Sequence, residues 1–221
     1  MVEEWEVPML VLRNDTVILR DFVESDIAGH IRWETVETEW KLWDAPWEHE
    51  GKSDKERTAE LEEDIERMRG WVTRNKTIGD DVRRTKFEVC LADADDPLKA
   101  THVGSCATYQ IDEDFNIAED GPHCALGIDI NDLAARGRGC AKAALRLLID
   151  YLFDLGESAV YCQTWSGNVR MIGLAEKLGF HECCRKPGIR LVRGKRYDGL
   201  TFVLRYQPKG PGAFGWSDVL P

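Results

Sequence analysis

The amino-acid sequence predicts an α+β fold, a single domain over residues 1–221 in which strands and helices alternate. With 43% hydrophobic and 31% charged residues, the composition is that of a soluble globular protein. A chain of this length can bury roughly 70% of its unfolded surface. Short apolar runs of strand character alternate with amphipathic segments of helical period, and neither a repeat nor a linker interrupts them. The sequence therefore favours one folded unit.

The first half of the chain opens with a predicted β-hairpin. Strands over 8–13 and 16–22 are separated by an Asn-Asp turn, and a short helix over 25–33 follows. Ser53 and Glu56 have the spacing of a capping box. This box opens a longer amphipathic helix, whose apolar positions are Leu61, Ile65, Met68 and Val72.

The second half of the chain alternates strands with two helices. The predicted strands cover 87–92, 103–111, 124–130, 159–165, 189–192 and 201–205. One amphipathic helix begins near Gly139 and ends before Gly156, and a second covers 168–178. Residues 207–221, rich in glycine and proline, are expected to form an irregular tail beyond a core of 10–206.

Charge is unevenly distributed along the chain. Residues 1–120 hold 31 acidic and 15 basic side chains, whereas residues 121–221 hold 9 and 14. This asymmetry favours two ligands of opposite sign, although acidic helices on the surface of the first half would also produce it. The net charge of −11 argues against a nucleic acid or an anionic membrane as the main partner.

The cysteines favour a reducing, cytoplasmic location. Their number is odd, most lie in apolar strand-like runs, and neither a CxxC pair nor a His/Cys spacing typical of zinc occurs. We therefore expect no metal. The seven are Cys90, Cys106, Cys124, Cys140, Cys162, Cys183 and Cys184. The first seven residues contain three glutamates and no basic region, so we expect no secretory signal.

The most informative segment is a strand that runs into a loop of glycines and arginines, residues 136–142, which opens a helix. Its small residues let a ligand approach the backbone closely: Gly137, Gly139 and Ala141. Its cations add to the positive end of the helix dipole: Arg136, Arg138 and Lys142. These features predict a phosphate-binding cradle. The loop lacks the ending of a P-loop and the third glycine of a dinucleotide fingerprint, but a nucleotide-binding protein stays among the interpretations.

The same loop is similar to a motif of the GNAT superfamily of acyl-CoA-dependent N-acetyltransferases. Arg136-x-x-Gly139-x-Ala141 matches the R/Q-x-x-G-x-G/A loop of that superfamily. Downstream, the run from Asn168 to Gly179-Phe180 resembles its N…EK-x-GF segment. Strand 17–20 and the motif Tyr197-Asp198-Gly199 resemble the branch that contains the ribosomal-protein N-terminal acetyltransferases.

The resemblance implies an α/β/α sandwich around a mixed, mostly antiparallel sheet whose parallel pair of strands splays apart. Acetyl-CoA would lie in that split, with its pyrophosphate on the loop. The implied cofactor-binding residues are Ile128, Asp129, Ile130, Arg136, Gly137, Arg138, Gly139, Cys140, Ala141, Lys142 and Asn168. Asn168 also stands where an N-cap would, and both roles are compatible.

The implied activity is acetyl transfer from acetyl-CoA to a primary amine by direct attack in a ternary complex. The amine must lose a proton before it attacks the thioester. The acceptor would be a peptide N-terminus, a polyamine or an aminoglycoside-like amine, and the enzyme a monomer or homodimer. The alternative is a catalytically weak acyl-CoA-binding regulatory domain.

Catalytic groups cannot be carried over from the superfamily. The position of its usual glutamate base is Ala125 here, that of its tyrosine acid is Ala175, and Met171 replaces the serine of the ribosomal branch. By strand alternation, His123 and Asp129 share a face with Ala125. Glu88 on a neighbouring strand is a further candidate. For each of the three candidates, the residues alone favour a solvated or capping side chain over a catalytic role.

A tryptophan-rich acidic segment is the candidate acceptor site. Four tryptophans, Trp33, Trp40, Trp43 and Trp47, lie among five acids, and aromatic faces beside carboxylates suit a cationic amine. We predict substrate contacts from Trp33, Glu39 and Trp43. The alternative is that the last three tryptophans form one buried face of a short helix.

Overall fold

A single mixed sheet organises the part of the chain that the structure, a computed structural model, describes, namely residues 9–79 and 81–207. Its strands, numbered in chain order, are β1 Val11–Arg13, β2 Val17–Arg20, β3 Lys86–Leu91, β4 His102–Ile111, β5 His123–Ile130, β6 Ala159–Trp165, β7 His181–Val192 and β8 Lys195–Arg205. Their order across the sheet is β1-β2-β3-β4-β5-β6-β8-β7. Neighbouring strands are antiparallel except β5 and β6, which are parallel.

The helices cover both faces of this sheet. They are α1 Asp26–Thr35, α2 Asp54–Asn75, α3 Cys140–Asp154 and α4 Val169–Lys177, with short 3₁₀ turns at Thr38–Leu42, Pro46–Glu48 and Leu133–Ala135. The predicted capping box at α2 is confirmed, because Ser53 and Glu56 bond reciprocally. No helix in the described ranges is long and apolar enough to cross a membrane.

The parallel pair of strands is joined over a short length only. Its paired residues are Ala125 with Tyr161 and Leu126 with Cys162, although β5 continues to Ile130 and β6 to Trp165. Each strand keeps its antiparallel pairing with its outer neighbour over this stretch. The two strands therefore part towards their carboxyl ends, which confirms the splayed pair in the predicted fold class.

The two faces of the sheet differ in chemistry. On the α3 face, Leu126, Leu145 and Leu148 belong to a fully apolar core. On the opposite face, here called the α1 face, buried charges fasten α1 to the strands. Arg20 of β2 binds Asp26 of α1 through two hydrogen bonds of 2.6 and 2.7 Å. Helices on both sides of one sheet make the predicted α/β/α sandwich.

Most predicted elements are confirmed, with differences at the carboxyl-terminal end. Strands β7 and β8 begin at His181 and Lys195, well before the predicted starts at 189 and 201. In the sequence, Pro187 and Gly188 break the residue pattern typical of a strand. In the structure, β7 continues through them, and only its pairing with β8 shifts register there. Three of the four tryptophans lie in or beside two 3₁₀ turns rather than on one short helix. The predicted strand start at 8 and the tail from 208 lie outside the described residues.

Candidate functional site

The gap between β5 and β6 frames the candidate site. Residues 127–130 and 163–165 each pair with their outer neighbour but not with each other. The facing edges of the two strands therefore do not bond each other and can receive an extended ligand, although the carbonyls of Ile130 and Trp165 already accept from Arg136 and from the amide of Asn168. The glycine–arginine loop, residues 136–142, follows β5 directly, and Asn168 follows β6.

The glycine–arginine loop presents an uncapped helix end. Gly137 and Gly139 have φ angles of 71° and 82°, in the left-handed region that glycine adopts without strain. Gly139 occupies the N-cap position of α3, with no side-chain cap and no acid in the first turn. Arg138 and Lys142 are exposed beside it. An uncapped helix start, its dipole and two exposed cations together give this loop the chemistry that suits an anion.

Arg136 does not point freely into solvent. Its Nε donates to the carbonyl of Ile130 at 2.7 Å, and its Nη1 pairs with Glu39. Glu39 also accepts hydrogen bonds from Arg170 at 3.2 Å and from the indole of Trp43 at 2.9 Å. One carboxylate thus ties the loop after β5 and the start of α4 to the segment of residues 38–48, here called the rim segment.

The rim segment also reaches β6. The carbonyl of Trp43 accepts from Trp165 Nε1 at 2.8 Å and from Asn168 Nδ2 at 3.1 Å. Asn168 Oδ1 in turn accepts from the amide of Met171 at 3.1 Å, so the predicted N-cap of α4 is confirmed. The rim segment therefore spans the mouth of the gap and is held on both sides.

An acidic cavity of about 710 Å³ lies between the rim segment and α2. Its lining carboxylates are Glu34, Asp44, Glu48, Asp54, Glu60 and Asp64, against the three cations Lys41, Lys52 and Arg57. Trp40 supplies an aromatic wall. Among the described residues, Asp44 and Glu48 form no ion pair, whereas each lining cation pairs with an acid. The cavity therefore suits a cationic ligand.

The predicted acceptor residues lie beside this cavity without lining it. Trp33 is 1% exposed and packs between His30 and His102. Glu39 pairs with Arg136 and Arg170, and Trp43 donates to Glu39 and lies under the Arg170 guanidinium. From the segment that the sequence singles out, the residues that line the cavity include Glu34, Asp44 and Glu48 rather than the predicted Trp33, Glu39 and Trp43. Strand or helix periodicity cannot indicate which residues of a segment built of 3₁₀ turns line a cavity. Their charge was therefore the only signal in the sequence.

Asp129 is the candidate base on which carboxylates of the cavity act electrostatically, although it does not line the cavity. It lies on the α1 face of β5, three residues beyond Leu126, the last residue that pairs with β6. Burial, with repulsion from the cavity carboxylates Asp44 and Glu34, raises the pKa of Asp129 well above its ordinary value, and Lys86 only partly offsets this. A carboxyl group with a raised pKa can accept a proton from an amine near neutral pH.

The other two candidate bases are engaged elsewhere. His123 starts β5, pairs with Glu113 at 3.2 Å and packs 4.8 Å from the ring of Tyr161. Glu88 is fully buried and bonds His30 Nε2 at 2.8 Å and His102 Nε2 at 2.7 Å. Burial opposes ionisation of Glu88, but Lys86 and the two histidines outweigh it and hold its pKa below the ordinary value.

This histidine–glutamate cluster is also the group in the described residues that could hold a metal. Its ligand atoms all lie within 4.8 Å of one another. Both histidine nitrogens, however, are at hydrogen-bond distance from the same oxygen of Glu88, and the Lys86 ammonium lies 3.7 Å from the other oxygen. The Oε2 atom of Glu88 thus joins both histidines in a hydrogen-bond network that fastens α1 to β3 and β4, while its buried Oε1 atom has no hydrogen-bond partner among the described residues.

Comparison with known proteins identifies the domain type. Residues 16–181 match a family model described as an acetyltransferase (GNAT) domain. No curated protein matches the chain by sequence.

Several solved structures share the fold. The ribosomal-protein-S5-alanine acetyltransferase from Vibrio fischeri superposes with a TM-score of 0.62 at 14% identity, covering 91% of this chain and 100% of that one. An acetyltransferase from Salmonella typhimurium that modifies the N-terminal serine of ribosomal protein L7/L12 gives 0.61 at 13%, covering 90% and 100%. A ribosomal L7/L12 α-N-protein acetyltransferase in complex with coenzyme A gives 0.59 at 14%, covering 89% and 98%. The resemblance noted from the sequence is confirmed at the level of the fold.

The Glu88 cluster yields a prediction about stability. Glu88→Gln should lower the free energy of unfolding at pH 7 by about 2–4 kcal/mol, because it removes a buried charge that two histidines and a lysine surround. The native pKa of Glu88 lies below its ordinary value of 4.5, so this stabilisation exists above that pH and fades as the pH falls below it. Urea denaturation of both proteins between pH 7 and pH 3 measures the difference.

Glu113→Gln is the matched control, since that carboxylate also bonds a histidine but its side chain is 81% exposed. It should change stability by less than about 0.5 kcal/mol. Equal effects of the two substitutions would contradict the anchoring role of Glu88.

Proposed function

The chain belongs to the GNAT family of acetyltransferases, and we propose that it transfers the acetyl group of acetyl-CoA to a cationic primary amine. The observation that carries this proposal is the gap between β5 and β6, which lies between the uncapped, cationic start of α3 and the rim segment, the same segment that lines the acidic cavity. A polyanionic cofactor and a cationic acceptor can thus meet from opposite sides. A protein of the same fold is known in complex with coenzyme A, which supports this choice of donor.

In the proposed complex, acetyl-CoA lies along the inner edge of β5. The backbone of Ile128, Asp129 and Ile130 bonds the pantetheine arm, and one of its amides stabilises the oxyanion of the tetrahedral intermediate. The pyrophosphate lies on the loop of residues 136–142, at the uncapped end of α3. Asn168 exchanges its bond to the Trp43 carbonyl for one to the cofactor.

The acceptor occupies the acidic cavity. Asp44 and Glu48, which no cation of the described residues neutralises, attract its ammonium group. Lining by six carboxylates favours an acceptor with more than one positive charge, such as a polyamine, or a peptide N-terminus beside a basic side chain. A neutral amine would gain little from this cavity.

Asp129 acts as the general base. It takes the proton from the ammonium group, directly or through water, and the free amine attacks the thioester carbonyl. An ordinary carboxylate would be too weak a base for this step, so its raised pKa matters to the chemistry. Burial and the acidic neighbours supply that shift without any further residue.

We further propose that residues 1–221 act as one acetyltransferase domain in the cytoplasm. The seven cysteines are all free, and five of them are buried, which suits a reducing compartment.

The proposal is tested by the release of coenzyme A thiol from acetyl-CoA in the presence of amines. Spermidine and a peptide with a free N-terminal alanine followed by lysine should both stimulate release, while the N-terminally blocked, lysine-free peptide should not. Thiol release that no amine stimulates, together with tight binding of acetyl-CoA, would instead show the regulatory, acyl-CoA-binding alternative.

Arg138→Glu tests the anion site. Because Arg138 is exposed next to the uncapped helix end, charge reversal should weaken coenzyme A binding by at least about tenfold and leave the fold intact. Isothermal titration calorimetry gives the affinity and circular dichroism the fold. Arg69→Glu, an exposed reversal on α2, is the control and should bind normally. Equal affinities of both variants would refute the cradle.

Asp129→Asn tests the base. We expect kcat to fall by about 100-fold or more with unchanged coenzyme A affinity, since the amide cannot accept the proton. In the wild-type enzyme, kcat should rise with pH through the raised pKa of Asp129, because the protonated carboxyl is inactive below it. His123→Gln should retain activity. The opposite result, with loss in the His123 variant and not in the Asp129 variant, would transfer the role of base to His123.

A further inference from the structure

Tyr109 of β4 lies where the gap begins. It pairs across the sheet with Ala125 of β5, which pairs in turn with Tyr161 of β6. Paired residues share a face, so these three side chains form one row on the α1 face, and Asp129 lies on the same face four residues farther along β5. This row is the last one on the α1 face before β5 and β6 part.

The phenol of Tyr109 reaches across β5. Its hydroxyl lies 3.4 Å from the Oε1 atom of Gln163 on β6, although β5 separates the two strands in the sheet. Gln163 is itself fixed, because its amide nitrogen donates to the carbonyl of Phe115 at 2.9 Å and to the hydroxyl of Thr201 at 3.1 Å. Gln163 therefore presents its oxygen to the phenol and holds the hydroxyl at the start of the gap.

Small residues on β5 leave room for this crossing. Ala125 has only a methyl group, and Gly127, the next residue on the same face, has no side chain. A Cβ atom built at Gly127 would meet nothing within 4 Å, so the space above it is open. Successive residues on one face are about 7 Å apart. The open space is therefore flanked by the Tyr109 hydroxyl on one side and by Asp129 on the other.

Electrostatics links the two flanking groups to the acceptor cavity. The carboxylate of Asp44, which lines the cavity, acts on both Asp129 and Tyr109. Burial, followed by the Cys162 thiol and then by this carboxylate, raises the pKa of Tyr109 above that of a free phenol. Tyr109 thus keeps its proton at neutral pH, whereas Asp129 is suited to accept one.

We propose that Tyr109 is the general acid of the transfer reaction, a role that rests on the proposed acetyl transfer. The amine nitrogen forms a bond to the thioester carbon, and the carbon–sulfur bond then breaks. The sulfur leaves with the bonding electron pair and takes the proton of the Tyr109 hydroxyl, which yields coenzyme A thiol. The phenolate recovers the proton that the nitrogen loses as the amide forms, so the hydroxyl is regenerated.

Tyr109→Phe removes only the hydroxyl and tests the role directly. With acetyl-CoA and whichever of spermidine and the Ala-Lys peptide the wild-type enzyme acetylates faster, kcat should fall by about 100-fold while KM for acetyl-CoA stays within a factor of two. Tyr161→Phe is the matched control, since that tyrosine lies in the same row, whereas the hydroxyl that bonds the Oε1 atom of Gln163 in the described residues is that of Tyr109. It should retain wild-type kcat.

A second donor separates proton donation from structural damage. The acetyl thioester of 4-nitrothiophenol releases a thiolate of low pKa that needs no proton to leave. With this donor, the rates of Tyr109→Phe and wild-type enzyme should agree within about threefold, whereas a misfolded variant would be slow with both donors. A Tyr109→Phe enzyme that turns over acetyl-CoA at the wild-type rate, or is equally impaired with both donors, overturns the role. Wild-type enzyme without amine-stimulated turnover would instead overturn the proposed function itself.

Discussion

The site depends on one interruption of backbone hydrogen bonding, the parting of β5 and β6 after two paired rows. Backbone groups in a sheet interior are normally all paired. Here the inner edges of two central strands are left open, and what surrounds them makes the opening useful. The loop after β5 carries positive charge, the segment between α1 and α2 carries negative charge, and both meet at this gap. If β5 and β6 were paired along their whole length, the same side chains would leave no opening in which the proposed acetyl donor and amine acceptor could meet.

Buried charge, rather than apolar packing alone, positions α1 above the sheet. Arg20 with Asp26 and Glu88 with two histidines connect β2, β3 and β4 to that helix. Breaking one partner of such a pair leaves an uncompensated charge inside, so the arrangement tolerates little displacement. This rigidity fixes the origin of the rim segment, which leaves the end of α1, and so places the wall of the acidic cavity relative to Asp129.

Local features were readable from the sequence and tertiary ones were not. The loop of residues 136–142 could be located because its glycine conformations and its cations act through adjacent backbone. Strand alternation placed Asp129 on the site face for the same reason. Glu39 and Asp44, by contrast, are five residues apart in an irregular segment. Glu39 bonds arginines and Asp44 faces the cavity because of contacts with residues that are distant in the sequence, such as Arg136. Tyr109 has no motif at all, since its position depends on pairing across three strands.

The bond between Glu39 and Arg136 has a consequence for cofactor affinity. A diphosphate that bonds Arg136 must replace the Glu39 carboxylate, so this arginine exchanges one anionic partner for another and gains none. The ionic-strength dependence of coenzyme A binding should therefore report mainly on Arg138 and Lys142, which are exposed and free to release counterions. It also means that the Glu39 carboxylate, at the rim of the acidic cavity, would keep Arg170 as its only ion-pair partner among the described residues. Occupancy of the donor site would then make the neighbouring cavity more negative, and more attractive to an ammonium group.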